Sequence, residues 1–315
     1  MITMFKLLLS AILVIAPLGA PAESLYSGQW GLDRIDQHEG MTDGSAWDGT
    51  GLGRDITVYI VDSGVSDLPI FGGRILPGYS AIKGGTEGCG SNHGTSIASL
   101  IGSEQYGVAW SVSMVSVRVL ACNGNGTPAN IVKGLKWIYK NGDPETSVVN
   151  MSLSGPANRT VDLWVNNLAE AGFPVVVAAG NNSKNACNYS PGRSEYAITV
   201  GASNALDMRW YSSNHGPCLS IWSPGDKIPT FDPNRGTFYP SGTSGAAAYV
   251  SGAIAAVASA AAVTTDEAAS ILLSGATVDV MCCSVRWGTR DLLYLGPDLF
   301  APQGETPWHE EWWAW

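Results

Sequence analysis

Apolar runs typical of buried strands alternate with helical spacing along residues 55–179. β-branched residues dominate positions 56–61, helical spacing follows at 96–101, and residues 112–120 alternate as a strand does. The pattern repeats with a helix at 129–139, an apolar strand at 147–153, a helix at 161–171 and a buried strand at 174–179. Because strands joined through helices run parallel, the alternation predicts an α/β fold with a mostly parallel central sheet and helices on both faces.

The composition fits a single compact domain. Hydrophobic residues make up 45% of the 315 residues and charged residues only 14%, which argues against disorder. The net charge of −10 argues against nucleic-acid binding, which needs a basic surface. There is neither an evident linker nor an internal repeat, so we predict one domain. We also predict that the protein is a monomer.

The N-terminus has the features of a secretory signal. Lys6 precedes an apolar stretch at 7–16, and Ala20 and Ala22 supply small residues at both positions that determine cleavage. We predict a signal peptide at 1–22 and a secreted protein with no membrane attachment after cleavage. The alternative, a membrane anchor, requires a longer apolar run. Six cysteines, an even number, are consistent with disulfides in an oxidising compartment.

Three distant segments each carry a polar residue in a setting suited to acyl-transfer chemistry. Asp62 ends a predicted buried strand, His93 opens a helix in the sequence His-Gly-Thr-Ser, and Ser244 precedes a run of small residues. A carboxylate that orients an imidazole, an imidazole that accepts a proton and a hydroxyl that attacks form a nucleophilic triad. Taken singly, Asp62 could cap a turn and Ser244 could cap a helix. Together they favour catalysis.

Asn181 is the fourth candidate. It follows a predicted buried strand in the sequence Ala-Ala-Gly-Asn-Asn. A side-chain amide at such a position could donate a hydrogen bond to a developing oxyanion, which is worth about 3 kcal/mol. An Asn-rich turn without a catalytic role is the alternative.

Ten short motifs complete the pattern. They are WGLDRIDQ at 30–37, VYIVDSGV at 58–65, NHGTS at 92–96, YGVA at 106–109, VRVLACNGNG at 117–126, NMSLSG at 150–155, AAGNN at 178–182, ACNYSP at 186–191, VGAS at 200–203 and SGTS at 241–244. With these motifs the chain resembles the subtilase superfamily, in particular its proteinase K and aqualysin-like branch, over residues 29–296. The order Asp, His, Ser is the subtilisin order.

The resemblance implies a subtilisin-like peptidase domain at 23–296 and a secreted serine endopeptidase that hydrolyses polypeptides through an acyl-enzyme. It also implies which residues bind substrate. Two extended segments would pair with the substrate backbone, and a third would border the pocket for the residue before the cut. These residues are Gly124, Asn125 and Gly126, then Ser152, Leu153, Ser154 and Gly155, then Ala178, Ala179 and Gly180.

The resemblance further implies two disulfides, Cys89 with Cys122 and Cys187 with Cys218. Cys282 and Cys283 have no counterpart in the branch. Because a bridge between adjacent residues is strained, we leave these two unpaired.

No cofactor is implied for the chemistry, but structural calcium is. The branch's strong site has Ser220 in place of an Asp here and is expected to be lost. A second site near the mature start would use Asp33, Asp36, Gln37 and Asp43, with Ser45 in place of an Asn. A solvated acidic loop is the alternative.

The chain departs from the branch in several places. Gly245 and Ala248 stand where Met and Pro are usual, and Ser154 replaces a Gly and is expected to narrow the cleft. We recognise no propeptide before Gln29, which leaves unaided folding, a separate chaperone or inhibitor chain, or a missing piece of sequence. An acidic, Trp-rich C-terminal tail is predicted at 297–315. The alternative functions are a catalytically weak binding protein with this fold and a peptide transacylase.

Overall fold

The computed structural model describes residues 28–38, 42–44, 47–90, 92–281 and 288–300. The predicted signal peptide, Ser45, Cys282, Cys283 and most of the predicted tail lie outside the described residues. The helices are α1 (Trp30–Ile35), α2 (His93–Gly102), α3 (Pro128–Asn141), α4 (Arg159–Glu170), α5 (Thr243–Ala261) and α6 (Thr265–Ser274). The strands are β1 (Thr57–Asp62), β2 (Ile75–Ser80), β3 (Ser113–Arg118), β4 (Ser147–Met151), β5 (Gly155–Pro156), β6 (Val175–Ala178), β7 (Tyr189–Ser190), β8 (Ile198–Ser203), β9 (Ile221–Pro224), β10 (Thr230–Asp232) and β11 (Gly236–Phe238).

Seven strands form a parallel central sheet in the order β2-β3-β1-β4-β6-β8-β9. The α/β class predicted from the alternating pattern is therefore confirmed. The chain adds β3 to one side of β1 and β4 to the other. At such a reversal of strand order, a crevice opens beyond the carboxyl ends of the strands, where ligands bind in folds of this kind.

Alternate side chains of each central strand enter two separate cores. In β1, Val58 and Ile60 belong to a core shared with α2, α5 and α6, while Tyr59 and Val61 face a second core shared with α3 and α4. Because successive residues of a strand point to opposite faces, a strand covered on both faces is apolar throughout. This explains why the strands could be predicted as continuous apolar runs.

The 19-residue helix α5 crosses the first core. By length and composition alone it could span a membrane, but 72% of its apolar window is buried inside the protein. Its small residues let it approach the sheet closely. Ala246, Ala247 and Ala253 are fully buried against the neighbouring elements. The helix thereby holds its N-terminal residues, including Ser244, at the carboxyl edge of the sheet.

Two regions differ from the sequence-based picture. Residues 204–240, for which the sequence patterns above predict no element, contain β9 and the antiparallel hairpin β10–β11. These strands are short and contain or border prolines and glycines, so their apolar pattern is weak. Near the C-terminus, Pro297–Phe300 form a 3-10 helix, and Leu299 is buried in the first core. The packed part of the chain thus reaches Phe300.

Candidate active site

The Asp62 carboxylate holds the His93 ring at the carboxyl end of β1. Both carboxylate oxygens lie 2.9 Å from His93 Nδ1, and the Ser63 backbone N–H donates to Asp62 Oδ1 at 2.6 Å. Asp62 is fully buried, whereas 37% of the His93 side chain is exposed. Because an ionised carboxylate can only accept, Nδ1 carries the proton and Nε2 is free to accept another.

Two glycines allow this approach. Gly64 has a φ of 102°, and a Cβ there would collide with the backbone of Glu87. A Cβ on Gly94 would collide with the Gly64 carbonyl oxygen. Glycine at position 94 lets the first turn of α2 lie against the end of β1, and glycine at position 64 lets the segment at Glu87 approach it. The motifs Asp-Ser-Gly and His-Gly therefore have a steric reason as well as a chemical one.

The carboxylate also sets the basicity of the imidazole. Desolvation lowers the pKa of His93, but the negative charge of Asp62 and its hydrogen bond raise it by more. The net pKa lies above the ordinary value of 6.5. A histidine tuned in this way is a stronger general base once it is deprotonated.

Ser244 is the second residue of α5 and lines the same cavity as His93 and Asn181. Its hydroxyl donates to the Ser152 carbonyl oxygen at 3.3 Å, and no hydrogen bond joins it to His93 in the described structure. Catalytic hydrogen bonds are often long or misaligned in the free state of an enzyme. A rotation about the Cα–Cβ bond changes where the hydroxyl points without moving the backbone.

A buried polar network supports the backbone of Ser244. Ser152 Oγ donates to the Ser244 carbonyl oxygen at 2.8 Å and accepts from Asn150 Nδ2 at 3.1 Å. Ser251 Oγ in turn donates to Asn150 Oδ1 at 2.9 Å. The network ties β4 to α5. Sequence reasoning assigned no role to Asn150 or Ser251, since their partners lie about a hundred positions apart along the chain.

Thr243 fixes the orientation of the Asn181 amide. Its backbone N–H and its hydroxyl both donate to Asn181 Oδ1, at 3.0 and 2.8 Å. The hydroxyl also accepts from the Gly180 N–H at 3.1 Å, so its own proton is committed to Asn181. With Oδ1 occupied by two donors, Nδ2 remains free to donate toward the cavity that Asn181 shares with Ser244. Sequence reasoning missed Thr243.

The predicted substrate-binding segments lie together around a second cavity of about 470 Å³. All seven residues of the two extended segments line it: Gly124, Asn125, Gly126, Ser152, Leu153, Ser154 and Gly155. The predicted third segment does not line it. Ala178 and Ala179 are buried, and a Cβ on Gly180 would lie 2.8 Å from Ser154 Oγ. Ser154 thus reaches Gly180 across the gap between the segments.

Both expected disulfides are present. Cys89 is bonded to Cys122, and Cys187 is bonded to Cys218. The paired cysteines are 33 and 31 positions apart along the chain. The first joins the segment before α2 to the loop that carries Gly124. Loops of this length correspond to about 3–4 kcal/mol of stabilisation in the chain-entropy model.

Asp33 lies in α1 and Asp36 directly follows the helix, and several of the predicted calcium ligands are engaged with one another. Asp33 accepts from the N–H groups of Asp43 and Gly44 at 3.0 Å each, and from Gln37 Nε2 at 2.8 Å. Asp36 Oδ1 is buried without a hydrogen-bond partner. Burial, and to a smaller extent the charges of Asp33 and Asp43, raise the pKa of Asp36 to about 6. Within the described ranges, no group of three His, Cys, Asp or Glu side chains could hold a metal ion.

Comparisons with known proteins agree with this architecture. The model of the subtilase family matches residues 53–287. An extracellular serine proteinase of Thermus sp. (strain Rt41A) is 42% identical over 271 residues, which cover 84% of this chain and 65% of that protein. Alkaline serine exoprotease A of Vibrio alginolyticus is 34% identical over 288 residues, 90% of this chain and 53% of that protein.

A solved structure is also similar. The crystal structure of a cold adapted subtilisin-like serine proteinase superposes with a TM-score of 0.79 at 36% identity. The match covers 84% of this chain and 97% of that one. The chain therefore belongs to the subtilase family, and its central sheet and helices form a subtilisin-like fold. It spans 65% and 53% of the length of the two curated relatives above.

Proposed function

We propose that this chain is a secreted serine endopeptidase that hydrolyses polypeptides. The observation that carries the proposal is the 2.9 Å contact between His93 Nδ1 and the fully buried Asp62 carboxylate, in a cavity that His93 shares with Ser244 and Asn181. The names of the Thermus and Vibrio relatives support both the activity and secretion. No cofactor takes part in this chemistry.

The proposed reaction has two halves. Ser244 Oγ attacks the scissile carbonyl while His93 Nε2 takes its proton, and Asp62 stabilises the imidazolium that forms. Asn181 Nδ2 donates to the oxyanion. His93 then gives the proton to the leaving amine, and the C–N bond breaks to leave an acyl-enzyme. In the second half water attacks the ester, His93 again moves the proton, and Ser244 is regenerated.

The substrate backbone would lie extended between the two segments that line the 470 Å³ cavity, Gly124, Asn125 and Gly126 on one side and residues 152–155 on the other. Backbone pairing of this kind tolerates many sequences. Ala178, Ala179 and Gly180 would border the residue before the cut, with Ser154 narrowing that space.

The experiment is labelling with an active-site-directed fluorophosphonate, together with casein hydrolysis. Wild-type protein is expected to be labelled once, at Ser244. Ser244→Ala is expected to lose the label and about 10⁶-fold of kcat, since the triad works as a unit. Ser270→Ala, an exposed position on α6, is the matched control. Folded wild-type protein that takes no label would reject the proposal.

One observation favours a second candidate, a subtilase fold that binds peptides with little catalysis. The Ser244 hydroxyl donates to Ser152 and not to His93. This candidate predicts folded, unlabelled protein that still binds extended peptides in the cleft. The same labelling experiment separates it from an active peptidase.

We also propose that Asp33, Asp36, Gln37 and Asp43 bind calcium for stability. Among the described residues no group of three acidic or other ligating side chains is arranged to hold a metal ion, so the ion would have to draw these side chains together. The buried Asp36 Oδ1 without a partner supports the proposal, because hard oxygen ligands suit calcium. Calcium at saturating concentration is expected to raise Tm relative to EDTA by mass action. Asp36→Asn should remove the calcium-dependent part, and Asp67→Asn, an exposed control, should retain it. Equal Tm values in calcium and EDTA would reject the site.

Secretion has its own test. Protein recovered from the culture medium of an expressing host is expected to begin at Glu23, the residue after the predicted signal. Retention in the membrane fraction with an intact N-terminus would support the anchor instead.

A further inference from the structure

The cavity that His93, Asn181 and Ser244 share has a volume of about 300 Å³ and extends from Ser244 away from the proposed substrate cleft. It shares only His93 with the cavity that the two extended segments line. Its walls come from α2, the hairpin β10–β11 and the first residues of α5. The apolar part of the wall consists of Ile97, Leu100, Ile228, Phe238 and Pro240.

The absence of a side chain at residue 245 leaves space in the cavity beside Leu100. A Cβ on Gly245 would meet only Leu100 Cδ1, at 3.3 Å, so the space beyond it is open. Leu100 and Ile228 are each 1% exposed, so the apolar wall belongs to the core of the protein and is already fixed in position.

Two charged side chains, Asp232 and Arg235, also line the cavity. Asp232 Oδ1 accepts from the N–H groups of Asn234 and Arg235, at 2.7 and 3.1 Å. The Arg235 guanidinium lies over the Phe238 ring, 5.5 Å from its centroid. Both charged side chains make these contacts within the hairpin segment itself, whereas a large apolar side chain could bury its surface against the five apolar residues of the wall.

We propose that this cavity is a specificity pocket for the substrate residue that follows the scissile bond, and that it selects a large apolar side chain such as Leu, Met or Phe. The inference rests on the proposed function. If the acyl half of a peptide lies between the extended segments and its carbonyl carbon meets Ser244, the chain beyond that carbon must leave on the side of Gly245. Its first side chain then enters the cavity.

The pocket acts on one half of the reaction. Its occupant leaves with the amine when the C–N bond breaks, so the acyl-enzyme is the same for every leaving group. Side-chain preference therefore appears in kcat/KM, which includes acylation, and not in the hydrolysis of the acyl-enzyme. In the reverse direction, an amine whose side chain fills the pocket should capture the acyl group better than glycinamide does.

The test uses quenched fluorescent peptides with one acyl half and Ala, Leu, Phe or Asp after the cut, with the cleaved bond verified by mass spectrometry. We expect kcat/KM for Leu and Phe to exceed that for Ala by about tenfold and to exceed that for Asp as well. Gly245→Met should fill the pocket and bring the Leu-to-Ala ratio close to one. Gly245→Ala should largely preserve the ratio, since it adds a single methyl group. Comparing ratios within each variant removes any general loss of activity.

Two further variants complete the design. Phe238→Ala removes a half-buried wall residue and should lower the Phe-to-Ala ratio without changing acyl-enzyme hydrolysis. Val278→Met, at a position that is 72% exposed, is the control for an added methionine. The pocket proposal would be wrong if wild-type kcat/KM did not depend on the residue after the cut. It would also be wrong if Gly245→Met left that dependence unchanged.

Failure of the pocket and failure of the peptidase proposal can be told apart. Labelled wild-type enzyme with no preference after the cut rejects only the pocket. Unlabelled protein rejects the peptidase, and pocket occupancy is then measured directly as binding of leucyl-alaninamide by NMR. Binding that Gly245→Met abolishes supports the pocket, and no binding to wild-type protein rejects it.

Discussion

The Asp62–His93 pair and the Ser244–Gly245 turn lie at the same edge of the sheet, but they are held in different ways. His93 is fixed by two 2.9 Å contacts to a carboxylate that is fully buried. The Ser244 hydroxyl makes one hydrogen bond, of 3.3 Å, to the Ser152 carbonyl oxygen. The neighbouring Gly245 borders open space. We call Asp62 and His93 the rigid half of the site, and Ser244 with its neighbours the nucleophile half. In the nucleophile half, the Ser244 side chain is free to rotate and there is room for a leaving group.

The difference has a physical reason. A buried carboxylate is costly unless it is fully hydrogen-bonded, so its surroundings are tightly specified. A neutral hydroxyl at a helix N-terminus has no such cost and can exchange partners. Four predictions test this contrast, from the largest expected effect to the smallest.

Removing the charge of the rigid half should have the largest effect. Asp62→Asn keeps the size of the side chain but removes the carboxylate that stabilises the imidazolium and fixes its tautomer. We expect kcat to fall by about 10⁴-fold with the Tm little changed. Asp67→Asn, an exposed position nearby, is the control. A loss below tenfold would mean that the buried pair is structural.

The oxyanion donor should come next. Asn181→Asp keeps the oxygen that Thr243 contacts but replaces the donating Nδ2 with a second oxygen. We expect kcat to fall by about 10²–10³-fold with a smaller change in KM, because the donor acts mainly in the transition state. Asn182→Asp places the same charge one residue away. Equal losses in both variants would indicate a general charge effect.

The support of the nucleophile half should matter less. Ser152→Ala removes the hydroxyl that donates to the Ser244 carbonyl and leaves Asn150 Nδ2 without that acceptor. We expect a loss of about 1–3 kcal/mol in the free energy of unfolding and about tenfold in kcat/KM. Chemical denaturation and kinetics measure the two. An unaltered kcat/KM in the destabilised variant would show that Ser244 does not depend on this network.

The smallest effect is a shift in pH dependence. His93 must be deprotonated to accept a proton, and its raised pKa places the acid limb of kcat/KM above pH 6.5. In Asp62→Asn the raising charge is lost while desolvation remains, so the limb should move below pH 6.5 in the residual activity. A limb at the same pH in both proteins would contradict the assignment of His93 as the base.

Much of the rigid half could be predicted from the sequence. Asp62 and His93 each require neighbouring glycines for their elements to approach, and Asp-Ser-Gly and His-Gly are visible as short motifs. The strands were predictable because each central strand is covered on both faces and is apolar throughout. The disulfide pairs followed from the resemblance to the family and not from the spacing of the cysteines.

The nucleophile half could be predicted only in part. The sequence marks Ser244 and Asn181 but gives no sign that Thr243 orients the amide or that Asn150 and Ser251 support the helix. Hairpin β10–β11 could not be predicted because its strands have only three residues each, too few to show a pattern. The apolar cavity beside Gly245 depends on how that hairpin packs against α2.

The sequence by itself determined the fold class, the family and the identity of the four candidate catalytic residues, because periodicity and glycine-flanked motifs are local properties of the chain. Only the tertiary structure decided where the Ser244 hydroxyl points, what holds Asn181 and what surrounds Gly245. These features depend on contacts between residues that are 60 to 150 positions apart, and their geometry is set by the packing of the whole core.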